Sequence, residues 1–189
     1  MTAVKQPISI SIADYLAGEE LSDVKHEYLG GAVHAMAGST NRHSAISANA
    51  LTVIGSQLRG KSCRPFGSDT KIRIEYPDHT RFYYPDALVV YHLNPPSDHF
   101  QNHPAVIIEV LSDSTRRTDL GEKRDACLTI PSLKALLFVE PDSPEVLVHR
   151  RRPEGGFAVE IFAGLDAVIP LPEIEAELPL ADLYERIDG

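Results

Sequence analysis

The seven residues Ala105 to Leu111, AVIIEVL, are apolar at every position but one. The run is too short for a helix and β-branched on both faces. It predicts a central strand covered on each side, with one acid, Glu109, among its buried positions. Other patterns place elements around it. SIADYLAGEE predicts a short first helix, with Ser11 as N-cap and Gly18 near its end. HEYLGGAVHAMA reads as two β runs meeting at Gly30-Gly31, a hairpin with Glu27 at the entrance of the first run. From Asn41 to Leu58, positions Ile46, Ala50, Val53, Ile54 and Leu58 recur at helical spacing, and Gly60 closes the segment.

CRPFGSD, KIRIEY and RFYYPDALVVY predict consecutive antiparallel strands, the last two separated by the turn PDHT, and HLNPPSDHFQNHP reads as a polar loop. TDLGEKRDACLTI predicts a helix with Thr118 as N-cap, Asp119 in its first turn and Pro131 as its stop. ALLFVE, EVLVHRR and FAVEIFA are further strands, and LPLADLYERI a closing helix. The expected class is α/β (α+β): one domain over residues 1–189, a mixed β-sheet flanked by helices with additional antiparallel C-terminal strands.

Composition narrows the function. At 189 residues, 43% hydrophobic and 24% charged, the chain is long enough for a real core and far from the signature of disorder. A net charge of −9 argues against loose, sequence-independent grip on DNA, which needs clustered Lys and Arg. Cys63 and Cys127 match neither a paired metal spacing nor a disulfide framework, so a reducing, cytoplasmic setting is expected. The N-terminus lacks the apolar run of a signal peptide, and no stretch approaches the ~20 apolar residues of a membrane helix. No G-x-S-x-G elbow, P-loop or H-E-x-x-H occurs. His99 and His103 have a zinc-like interval but no cysteine partners nearby, and Arg150 to Arg152 read as a solvated hairpin end.

The chemistry-bearing candidates are three. Glu109 shares a strand face with Ile107 and Leu111, where an unpaired carboxylate would cost several kcal/mol. It needs a partner, a metal, or a place at the strand's open end. Asp86 follows Pro85, and a proline inside a sheet implies an irregularity able to aim the next side chain. Lys123 falls in one helical arc with Leu120, Cys127 and Ile130, so it belongs to the stripe facing the sheet unless its ammonium snorkels to water. Two carboxylates and an ammonium where strand feeds helix suit Mg²⁺, which is typically held by one or two carboxylates and keeps waters. Lysine then orients or deprotonates the attacking water and stabilises the charge of the transition state.

YPDALVV, VIIEVLSDST and DLGEKRDACLTIPSL resemble the Uma2 family of restriction endonuclease-like proteins, within the PD-(D/E)XK nuclease superfamily. GAVHAMAGST, NRHSAI and GSDTKIRI extend the resemblance through almost the whole chain. It implies that Asp86 and Glu109 ligate the metal, Mg²⁺ or Mn²⁺, and that the chain is an endonuclease with DNA as substrate. The superfamily's usual lysine place, two residues after the acid, holds Leu111; Uma2-like proteins draw the lysine from the next helix, which matches Lys123. Glu27 is implied as an outer, assisting acid. Ser112-Asp113-Ser114-Thr115 stands where the family commonly reads SPST, and Cys127 where an aromatic is usual. Asp69 reads as a turn cap and His43 as a local hydrogen-bonding residue. The competing class is a catalytically silent module of the same fold that binds a protein or nucleic-acid partner. A homodimer or higher homo-oligomer is compatible with either.

Overall fold

The computed structural model describes residues 9–187. Helix α1 (Ile12–Leu21) starts at Ser11, whose side chain accepts from the Asp14 backbone N–H, and runs past Gly18. Strands β1 (His26–Leu29) and β2 (Ala32–Ala35) form the expected hairpin. Gly30 and Gly31 supply its turn at φ 59° and 105°, a region where a side chain is strained. Helix α2 (Asn41–Gln57) begins at Thr40, whose hydroxyl accepts from the His43 backbone N–H. Its Ile46, Ala50 and Ile54 are buried, as the spacing requires.

The central strand is β8 (Pro104–Val110), buried at all seven residues. It lies mid-sheet in the order β11-β10-β9-β8-β6-β3. Here β3 is Arg64–Gly67, β6 Ala87–Val90, β9 Ala135–Val139, β10 Glu145–Arg151 and β11 Phe157–Ala163. The sheet is mixed: β8 runs parallel to β9 and antiparallel to β6. A second sheet has the order β2-β1-β5-β4-β7, with β4 at Lys71–Glu75, β5 at Thr80–Tyr83 and β7 at Phe100–Gln101.

RFYYPDALVVY is therefore not one strand. It breaks at Tyr84-Pro85-Asp86 and crosses between sheets as β5 and β6, because proline can neither donate to a ladder nor sit in mid-strand. For the same reason β3 pairs with β6 and not with β4. The polar loop also holds one short strand, β7, parallel to β4. Near the C-terminus Val168–Leu171 (β12) and Ala176–Pro179 (β13) form a small sheet, which shortens the closing helix to Leu180–Leu183.

The large sheet has two apolar faces. Val106, Ile108 and Val110 point to the side of α2 and the C-terminal elements, whereas Ile107 and Leu111 point to the side of Ile72, Tyr83, Cys127 and Ile130. Each fully buried Ile or Leu contributes about 1.5–3 kcal/mol, so both faces must be covered for the sheet to persist. Strand alternation puts Glu109 on the second face.

Candidate functional site

The helical segment after β8 starts earlier than Thr118 and is not uniform. A short α3 (Arg116–Thr118) leads into a wide π-type turn over Asp119–Lys123, kinked at Gly121, and then α4 (Arg124–Leu128). Thr118 is already helical and caps nothing. The wide turn brings Asp119 and Lys123 inward together, both buried, as π-type turns at functional sites often do. Glu122 anchors the turn to β5 by accepting from Tyr83 Oη at 2.7 Å and pairing with Arg81.

Lys123 ends inside the molecule. Its Nζ lies 2.9 Å from Glu109 Oε1, donates to Glu109 Oε2 at 3.0 Å, and stands 3.4 Å from Glu27 Oε1 and 3.9 Å from Asp119 Oδ1. It also reaches the Tyr84 carbonyl oxygen at 3.4 Å. The snorkelling alternative is thereby excluded, since Lys123 is 4% exposed.

Asp86 stands just before β6. Its Oδ2 accepts the Val110 backbone N–H at 2.7 Å and is 3.2 Å from His43 Nε2. The β6–β8 register sets Ala87 opposite Ile108, so Asp86 precedes β6 where Glu109 stands on the facing strand. The two acids feel each other: Asp86 raises the pKa of Glu109.

The field is unbalanced. Glu109, Glu27 and Asp119 surround the Lys123 ammonium, and Asp86 adds its negative charge beside Glu109 and Asp119. Burial first, then Asp86 and Asp119, push Glu109 well above the usual carboxylate range against the pull of Lys123. Asp119 is raised as well, chiefly by burial, with Asp86 adding to it. Burial disfavours the Lys123 charge, yet Glu109, Glu27 and Asp119 outweigh it and hold the ammonium well above its ordinary pKa. In this arrangement Lys123 donates a hydrogen bond to Glu109 Oε2.

The donor set fits a hard divalent cation. Glu109 Oε1 is buried with no hydrogen bond, although the Lys123 ammonium is near it, and two carboxylates suffice for a cation that keeps waters. A cation there would also balance the excess acid. Among the described residues no group of three His, Cys, Asp or Glu side chains forms a ready-made metal cluster.

The remaining candidates scatter. Asp69 lies in the β3–β4 turn and pairs with Lys25, its side chain 91% exposed. Asp113 is exposed on the loop after β8. His43 is more than a local hydrogen-bonding residue, since its ring reaches Asp86. Asp119, read from sequence only as a first-turn acid, is the residue that reading missed. Its i, i+4 spacing to Lys123 was the available signal.

The sequence profile of Uma2, described as "Putative restriction endonuclease", matches residues 12–181. The chain belongs to the Uma2 family. It is 32% identical over 160 residues to "Uncharacterized protein slr1290" of Synechocystis sp. (strain ATCC 27184 / PCC 6803 / Kazusa), covering 83% of this chain and 82% of that protein. To "Uncharacterized protein sll1609" of the same organism it is 27% identical over 134 residues, covering 69% and 75%. The fold is shared with a solved structure described as "a putative nuclease belonging to DUF820" from Anabaena variabilis ATCC 29413. That superposition has a TM-score of 0.72 at 23% identity and covers 94% of this chain and 99% of the other. The Uma2 match spans β1, Asp86, Glu109 and the Lys123 turn, so the whole acidic cluster lies inside the family region.

Proposed function

We propose that this Uma2 protein is a divalent-cation-dependent endonuclease that hydrolyses DNA phosphodiester bonds. The observation that carries the reading is the buried contact of Lys123 with Glu109, at 2.9 and 3.0 Å, on the strand that faces Asp86. A bare structural ion pair does not need three further acids around it, and burying them costs stability. That expense is explained by a site that binds a cation.

Asp86 and Glu109 would hold the cation, Mg²⁺ with Mn²⁺ as substitute. When bound, it supplies Lewis-acid polarisation of a phosphate oxygen and an acidified water. Lys123 holds Glu109 in place and offers positive charge to the negative charge that develops on the phosphate. Glu27, 3.4 Å from the same ammonium and 17% exposed at its side chain, assists from the more open side. The nucleic-acid substrate follows from the family description, and DNA is the member of that class proposed here.

The test is cleavage of plasmid DNA and of a matched RNA by wild type and Glu109→Ala, with Mg²⁺ and with a chelator. Cation-dependent DNA cleavage present in wild type and absent from Glu109→Ala supports the reading. Equal cleavage by both proteins, or none by either across single- and double-stranded substrates, favours the silent binding module.

A further inference from the structure

Asp86 Oδ2 is engaged twice, by two different elements. The Val110 backbone N–H donates to it from β8 at 2.7 Å, and His43 Nε2 stands 3.2 Å away in the first turn of α2. Both side chains of the His43–Asp86 pair are 15% exposed, so water competes little for the contact. His43 is free to make it because the Thr40 cap uses only the His43 backbone N–H. The ring is placed by a helix whose Ile46, Ala50 and Ile54 are locked into the core.

We propose that His43 is a positioning residue for the cation site: with the Val110 amide it occupies Oδ2 of Asp86 and leaves Oδ1 as the oxygen for the cation. Glu109 is held differently, with Lys123 Nζ against both of its oxygens, Oε1 at 2.9 Å and Oε2 at 3.0 Å. Asp86 thus has one oxygen tied to the protein by two donors from separate elements. A carboxylate held at one oxygen loses less rotational freedom when the other binds a metal, and partners of this kind typically contribute 10–100-fold to metal affinity. The inference rests on the reading of Asp86 and Glu109 as a cation site.

The test is calorimetric titration of Mn²⁺ into the full chain, wild type, His43→Ala, His43→Gln and Asp86→Ala, with thermal melts in chelator beside it. His43→Ala is expected to weaken Mn²⁺ binding about 10–100-fold while its metal-free melt stays close to wild type, since the capping N–H remains. His43→Gln, whose amide N–H can donate to the same oxygen, is expected to recover most of that affinity. Wild-type affinity in His43→Ala, or a Gln variant as weak as Ala, overturns the positioning role. Wild type without Mn²⁺ binding that Asp86→Ala abolishes overturns the cation site itself, and this inference with it.

Discussion

Lys123 Nζ stands 2.9 Å from one oxygen of Glu109 and 3.0 Å from the other, and the two side chains are 6% and 5% exposed. Neither charge reaches bulk water, so each depends on the other. Lys123→Met is expected to cost about 3–5 kcal/mol of stability near pH 8 in chelator, by leaving a buried acid unpaired. Burial pushes the Glu109 carboxyl up, so once Lys123 is gone the acid takes up a proton as pH falls and the unpaired charge disappears. The cost of the substitution should therefore shrink at about pH 5, which denaturant melts at both pH values would show. A pH-independent cost would contradict the assignment.

Glu27 touches the same ammonium at a longer distance, 3.4 Å, and on a more exposed side chain. Glu27→Gln is expected to lower the cleavage rate roughly 10-fold, with little change in melting temperature, whereas Glu109→Gln abolishes cleavage. Equal loss in both variants would mean that Glu27 is a ligand and not an outer acid.

Much of this site was legible before the fold was known. An acid in an unbroken apolar strand, a lysine on an apolar helical stripe and an acid after a strand proline are each local patterns, and the structure brings all three residues together. The crossing of β5 and β6 between sheets was not legible, because Tyr84-Pro85-Asp86 looks the same locally whether the chain bends or continues. Asp119 was missed because a first-turn acid is ordinarily a solvated partner of the helix dipole. Only the wide turn over Asp119–Lys123 turns it inward. His43 is 43 residues away in sequence from Asp86, and no periodicity links the two.

A second pH effect lies away from the site. His149 on β10 packs edge-on against Phe138, its Nε2 is buried without a hydrogen bond, and burial followed by the charge of Arg124 lowers its pKa below the ordinary 6.5. The unfolded chain then binds this proton more readily. Stability from the neutral ring is present above pH 6.5 and is lost as pH falls toward the folded-state value. His149→Phe should flatten that acid limb in urea melts; an unchanged limb would assign it to other groups.

Cys63 and Cys127 are 3% and 1% exposed, and burial pushes the Cys127 thiol far up. Neither should react with a thiol reagent in the native protein, and both should react after unfolding in guanidinium. Fast native labelling at Cys127 would show that the α4 stripe opens, and that Lys123 is less enclosed than its contacts imply.

Asp86 and Glu109 are proposed to hold a divalent cation together beside Lys123. Anomalous diffraction from crystals grown with saturating Mn²⁺ tests it most directly. A peak is expected about 2.1 Å from one oxygen of each acid, lost in Glu109→Ala crystals. No peak there, or a peak that survives Glu109→Ala, would contradict it.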